Sequence, residues 1–214
     1  MLNELDKDLE RRGLPFVRYA DDSMIFCKSK RAAMRVKESV TRFIENALYL
    51  KVNKEKTVVS YVRGVKYLGY SFYVMKGKCQ LTVHPKSKAK MKSRLKELTS
   101  RSNGWGYAKR KQMLKEYIRG WVGYYHLANM KRLLLETDEW LRRRIRMCIW
   151  KAWKKVKTKV ANLIRCGINK YKAYEWGNTR KGYWRIADSY ILHRAITNEY
   201  LCRAGYATLT QIGH

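Results

Sequence analysis

The sequence predicts an α+β fold in two parts, residues 1–83 and residues 84–214. Three observations carry that prediction. Apolar runs flank turn residues twice before residue 84, at Phe16-Val17 with Met24-Ile25-Phe26 and again around Lys66–Phe72. Apolar residues at helical spacing precede and separate these runs. From His84-Pro85-Lys86, a helix start, the pattern is helical throughout, and the whole chain holds only 2 prolines.

Taken in order, Leu2, Leu5 and Leu9 mark a first helix that Gly13 and Pro15 end. Glu4, Asp6, Asp8 and Glu10 interleave with these leucines and read as its polar side. The turn Tyr19-Ala20-Asp21-Asp22 joins two strands. From Ser29 to Leu48 a second helix carries the stripe Val36, Val40, Phe43, Ile44 and Leu48. Asn53–Thr57 then reads as a turn, Val58-Val59-Ser60-Tyr61 as a strand, and Lys66–Phe72 as part of a second hairpin.

In the back part, Leu114, Tyr117, Ile118, Trp121, Val122 and Tyr125 form one apolar stripe. Gly120 and Gly123 lower helix propensity there, which predicts close packing of another element on them. A single helix is predicted from Asn129 to Val156, about 40 Å long, with Leu133, Thr137, Leu141, Ile145, Cys148, Ile149, Ala152 and Val156 inward. Trp176–Gly182 reads as a basic surface loop, and a last helix as Ala187 to Arg203.

Charge is the extreme property of the chain: 48 Lys and Arg against 17 Asp and Glu, a formal +31. Residues 1–80 hold 17 basic and 9 acidic groups, residues 81–214 hold 31 and 8. Such an excess on an aromatic-rich chain points to a polyanionic partner, nucleic acid first. A membrane is the weaker candidate, since no segment offers about 18 uncharged apolar residues and no signal peptide opens the chain; a cytoplasmic location is expected. The 5 cysteines are scattered without a Cys-x-x-Cys pair. They are expected to be reduced, buried or half-buried thiols rather than a zinc site.

Two groups of residues carry candidate chemistry. Asp21 and Asp22 are adjacent carboxylates at a hairpin tip, able to hold divalent metal for phosphoryl transfer or simply to form a solvated turn. On the predicted long helix, Arg143, Arg146, Trp150, Lys154 and Lys157 fall in one arc opposite Leu141. That arc is either a phosphate-binding stripe with an indole for base stacking, or a solvated basic face with Trp150 packed on a neighbouring helix.

Five segments in order resemble bacterial group II intron reverse transcriptase/maturases. Phe16–Asp22 resembles the catalytic hairpin of the palm, Leu50–Thr57 the next block, and Lys66–Phe72 the block that grips the primer. Ile118–Tyr125 and Asp138–Arg146 resemble the thumb, or maturase-specific domain, which in that family binds intron RNA. The resemblance implies a truncated palm over residues 1–83 and a helical thumb/maturase domain over 84–214. It implies two Mg2+ ions in the complete enzyme, Asp21 as a direct ligand and Asp22 as a weaker one. It places Tyr19 near the primer end, Lys56 near the triphosphate or pyrophosphate, and Gly69 where the backbone meets the primer. Lys56 as a solvated turn residue and Gly69 as a strand irregularity are the plain alternatives.

The family's other essential aspartate lies well upstream of the hairpin, and the 18 residues before Tyr19 hold no match for it. The resemblance therefore implies an incomplete metal site, no polymerisation by this chain alone, and a fingers/palm polypeptide as a possible partner. No His/Cys cluster precedes His214, so no endonuclease is expected. Three functions follow: the C-terminal part of a reverse transcriptase/maturase, a stand-alone RNA-binding splicing cofactor, or an unrelated basic nucleic-acid protein. The acidic hairpin argues against the third.

Overall fold

In a computed structural model the chain is described from Leu2 to Gly213. It divides into two compact units between Leu81 and Thr82.

The first unit opens with α1 (Leu2–Arg11), then β1 (Phe16–Tyr19) and β2 (Asp22–Ile25), an antiparallel pair with Phe16 opposite Ile25 and Tyr19 opposite Asp22. Helix α2 (Lys30–Asn46) follows, its first turn capped by the Ser29 hydroxyl, which accepts from Ala32 N at 3.2 Å. The apolar faces predicted for α1 and α2 meet. Leu5, Leu9, Val40 and Leu48 form a buried cluster, with Phe16 and Ile25 of the hairpin and Val36, Phe43 and Ile44 of α2 packed on it. After a 3₁₀ turn at Val62–Gly64 come β3 (Tyr70–Met75) and β4 (Lys78–Val83), the second two-stranded sheet. The expected strand at Val58–Tyr61 does not form. Among the described residues no ladder partner lies beside it, and Val58 and Tyr61 stay largely exposed.

The second unit is helical: α3 (Pro85–Leu98), α4 (Tyr107–Tyr124), α5 (Lys131–Ala152), α6 (Val156–Arg165), α7 (Lys170–Gly177), α8 (Tyr183–Ile186), α9 (Tyr190–Ala195), α10 (Asn198–Arg203) and α11 (Leu209–Ile212). His84 caps α3 and Pro85 occupies its first turn, as the sequence predicts. Leu114, Ile118 and Val122 bury one side of α4. Among the described residues no other element comes within 4 Å of where a Cβ would stand at Gly120 or Gly123, so the close packing expected on these glycines does not form. Packing does demand glycine at Gly177, where a Cβ would lie 2.8 Å from Val160 Cγ2 at the α6–α7 contact.

Two long-helix expectations are corrected. The helix predicted as Asn129–Val156 stops at Ala152, about 33 Å along. Trp153 leaves the helix and is buried beside Trp150, ring centroids 5.7 Å apart. The last helix predicted from Ala187 to Arg203 is instead two short ones, α9 and α10, separated where Thr197 takes extended backbone at the N-cap of α10. Trp176 and Gly177, expected in a loop, end α7 and are buried. Of the cysteines, Cys148 is buried and Cys27 and Cys166 half-buried, while Cys79 and Cys202 are exposed, against expectation. No described helix is long and apolar enough to cross a membrane.

Candidate nucleic-acid interface

The acidic hairpin turns at Ala20-Asp21. Ala20 adopts a φ of 53°, the left-handed excursion that two-residue turns between twisted strands require. Arg18 holds that turn: its Nη1 donates to Ala20 O at 3.0 Å, while its Nε and Nη2 grip both carboxylate oxygens of Asp6 on α1. Asp6 is therefore more than a solvated polar side. Asp8 departs further, being 8 % exposed and bonded by Arg11 (2.8 Å) and Arg12 (3.0 Å). The Arg18 bond holds the Asp6 carboxyl below its ordinary pKa. At Asp8 burial works the other way, but the bonds from Arg12 and Arg11 win and the carboxyl is also lowered.

Asp21 and Asp22 stand exposed at the tip, with Tyr19 beside them and 65 % exposed. The structure adds Tyr67, whose hydroxyl lies 3.5 Å from Asp22 O. Burial, with Asp22 nearby, raises its pKa. Tyr67 is brought there by a second tight turn: Leu68 (φ 48°) and Gly69 (φ 82°) sit between Tyr67 and Tyr70, which exchange both backbone bonds at 3.1 and 2.9 Å. Gly69 thus serves a turn that favours glycine. Lys56 sits in a turn built by Asn53, whose Oδ1 accepts from Glu55 N and Lys56 N, both at 3.1 Å. Its side chain is exposed, and no ion pair among the described residues joins it to Asp21 or Asp22.

Adjacent carboxylates can hold divalent metal ions for phosphoryl transfer. Asp21 and Asp22 are two neighbours on one hairpin, and among the described residues no group of three His, Cys, Asp or Glu side chains could hold a metal ion.

In the helical unit, the single exposed face predicted for Arg143, Arg146, Trp150, Lys154 and Lys157 does not form. Ending α5 at Ala152 leaves Lys154 in the connection and Lys157 on α6. Trp150 is 1 % exposed, with Lys159 Nζ 4.9 Å from its ring centroid, so no face is open to a base. Arg146, 4 % exposed, donates to Ile196 O and Asn198 Oδ1, both at 2.8 Å, and burial lowers its pKa. Arg143 donates to Trp184 O and pairs with Asp188 at 3.0 Å. Arg144 donates to Lys96 O (3.0 Å) and Thr99 O (3.1 Å). These arginines satisfy carbonyls at or near the ends of α3, α8 and α9, where the helices supply no N–H of their own. Lys154, Lys155 and Lys157 remain exposed.

Asp138 of α5 lies in the segment Asp138–Arg146. It is 1 % exposed, and its carboxylate accepts from Leu209 N (2.7 Å), Thr210 N (2.9 Å) and Thr210 Oγ1 (2.6 Å), fixing the start of α11. Its partners lie some seventy residues away, which no local pattern reveals.

Residues 1–72 match the family described as reverse transcriptase (RNA-dependent DNA polymerase), and residues 88–167 match the group II intron, maturase-specific domain. No curated protein matches the chain.

Proposed function

We propose that this chain, which belongs to the group II intron reverse transcriptase/maturase family, binds intron RNA through its helical unit and assists splicing and mobility of the intron. The supporting observation is uncompensated charge. Residues 81–214 hold 31 Lys and Arg against 8 Asp and Glu, and among the described residues only Arg94, Arg132 and Arg143 of these cations are in ion pairs. Exposed cations outside any ion pair, Lys154, Lys155 and Lys157 among them, release counterions from a phosphate backbone on binding. Lys154 and Lys157 are the residues of the predicted set proposed to meet phosphates; Arg146 and Trp150 are buried, and Arg143 is held by Trp184 and Asp188.

In the first unit Asp21 and Asp22 are proposed as the palm's metal-binding hairpin, Tyr19 and Gly69 as primer contacts and Lys56 as a triphosphate contact. A second polypeptide carrying the remaining palm ligands would complete that site. The presence of carboxylates on one hairpin alone favours a second reading, a non-catalytic RNA-binding splicing cofactor. The test is binding of the purified chain to structured intron RNA across a salt series, with splicing measured in parallel. A steep loss of affinity with salt and faster splicing are expected. Equal affinity for intron RNA and an unrelated polyanion, with no effect on splicing, would count against the proposal.

A further inference from the structure

Residues 168–213 lie beyond both family matches, and they carry a concentration of exposed aromatic rings that the charge argument leaves unused. Between Lys170 and Arg194 stand 6 aromatic residues, and Tyr171, Tyr174, Tyr183, Trp184 and Tyr190 are all exposed. The same stretch holds 6 Lys or Arg against Glu175 and Asp188 alone. Single exposed aromatics are ordinary on protein surfaces. At Trp184 and Tyr190 a hydrogen bond joins the ring contact, and the two together hold each residue in place.

Trp184 lies with its ring centroid 3.9 Å from the Arg143 guanidinium. That guanidinium is itself fixed, by two bonds to Trp184 O (3.3 and 3.1 Å) and the ion pair with Asp188 (3.0 Å). One side of the indole is thus occupied, yet Trp184 remains 40 % exposed. Tyr190 starts α9 and is 64 % exposed. Its hydroxyl accepts from Arg194 Nη1 at 2.6 Å, and its ring meets the buried Trp176 edge-on at 5.9 Å. Ordering side chains is a main cost of association, and here the contacts already made lower it. The two residues are six apart, so their Cα atoms lie within about 20 Å. Asp188, the nearest carboxylate in sequence, has its charge engaged by Arg143.

Resting on the reading that the helical unit binds RNA, we propose that Trp184 and Tyr190 form a stacking platform for unpaired bases, so that this face takes single-stranded nucleic acid in preference to duplex. A base in a duplex hides both faces against its neighbours, whereas an unpaired base offers one to an aromatic ring, with cations beside it for the phosphates. Arg143 is a positioning residue for the indole.

The test uses the full 214-residue chain with an unstructured oligoribonucleotide of about 16 nucleotides, the same strand as a duplex, structured intron RNA, and anionic phospholipid vesicles. The variants are Trp184→Ala/Tyr190→Ala, Trp184→Leu/Tyr190→Leu, which keeps apolar bulk without the ring, and Tyr190→Ala alone. The last removes a mostly exposed ring and decides the matter if the Trp184 variants fail to fold by thermal melting. Single-strand affinity is expected to fall roughly 10-fold or more for a double variant and about 5-fold or more for Tyr190→Ala, with duplex affinity and the salt slope little changed. Equal losses on duplex and single strand, or vesicle binding that the variants abolish while RNA binding persists, would overturn the platform. Unchanged single-strand affinity beside intact binding of structured RNA overturns the platform and leaves the RNA reading standing. A wild-type chain that binds no RNA overturns both.

Discussion

Asp6 and Arg18 tie the first helix to the acidic turn. The guanidinium takes both oxygens of the Asp6 carboxylate and spends its remaining terminal nitrogen on Ala20 O, the carbonyl inside the turn that presents Asp21 and Asp22. Position 6 therefore governs the geometry of positions 20–22, although nothing in their spacing announces it. Asp6→Asn should lower the melting temperature and speed amide exchange in the hairpin. Exchange unchanged at residues 20–22 would show that the pair does not hold the turn.

Asp6 and Asp8 also set an acid limit on the first unit. Both carboxyls lie below their ordinary value of 3.8 in the folded chain. A carboxyl with a depressed folded pKa contributes fully above its unfolded pKa and loses that contribution as pH falls through the folded one. The stability difference between the wild-type chain and Asp6→Asn should accordingly be constant near neutral pH and shrink below about pH 4. Denaturant titrations of both proteins at a series of pH values measure it; a difference that grew on acidification would contradict the pairing.

Trp150→Ala should act on stability and not on RNA affinity. Emptying a buried indole site costs about 3–5 kcal/mol. If the variant folds, its affinity and salt slope for structured RNA should match the wild type. A lost stacking contact on a well-folded variant would mean that the indole reaches the ligand after all.

Lys154→Gln and Lys157→Gln should each reduce the slope of log affinity against log salt by roughly 0.7–0.9 if both lysines meet phosphates. Their melting temperatures should hardly move, since both side chains are exposed. Arg146→Gln is the contrast: it removes the donor to Ile196 O inside the fold and should destabilise the helical unit first.

Primer extension by the purified 214-residue chain with magnesium is expected to be absent, and Asp21→Ala to change nothing in that assay. The two carboxylates of one hairpin are the ones on offer, with no third described residue beside them for a metal. Extension that disappears with Asp21→Ala would mean that another chain supplies the missing ligand.

The amino-acid sequence by itself made the early local elements and the family resemblance legible. Leucines at helical spacing, the Ser29 and His84 caps and the acidic tetrapeptide each act within a few residues, so α1, α2, α3 and the first hairpin are legible without coordinates. The aggregate charge is legible too, because it is a sum. What each cation does is not. Arg143, Arg144 and Arg146 lie in the same basic run as many exposed lysines, and only the packing of α3, α8 and α9 against α5 turns them into donors for helix-end carbonyls. Trp150 is buried as well, and α5 ends at a residue that carries no Gly or Pro signal, where Trp153 packs beside Trp150. Tertiary structure likewise decided that Val58–Tyr61 is no strand, since a ladder needs a neighbour that local propensity cannot supply. A periodic pattern reports which side of a helix is apolar; only the partners facing it decide whether the other side meets water, another helix or a ligand.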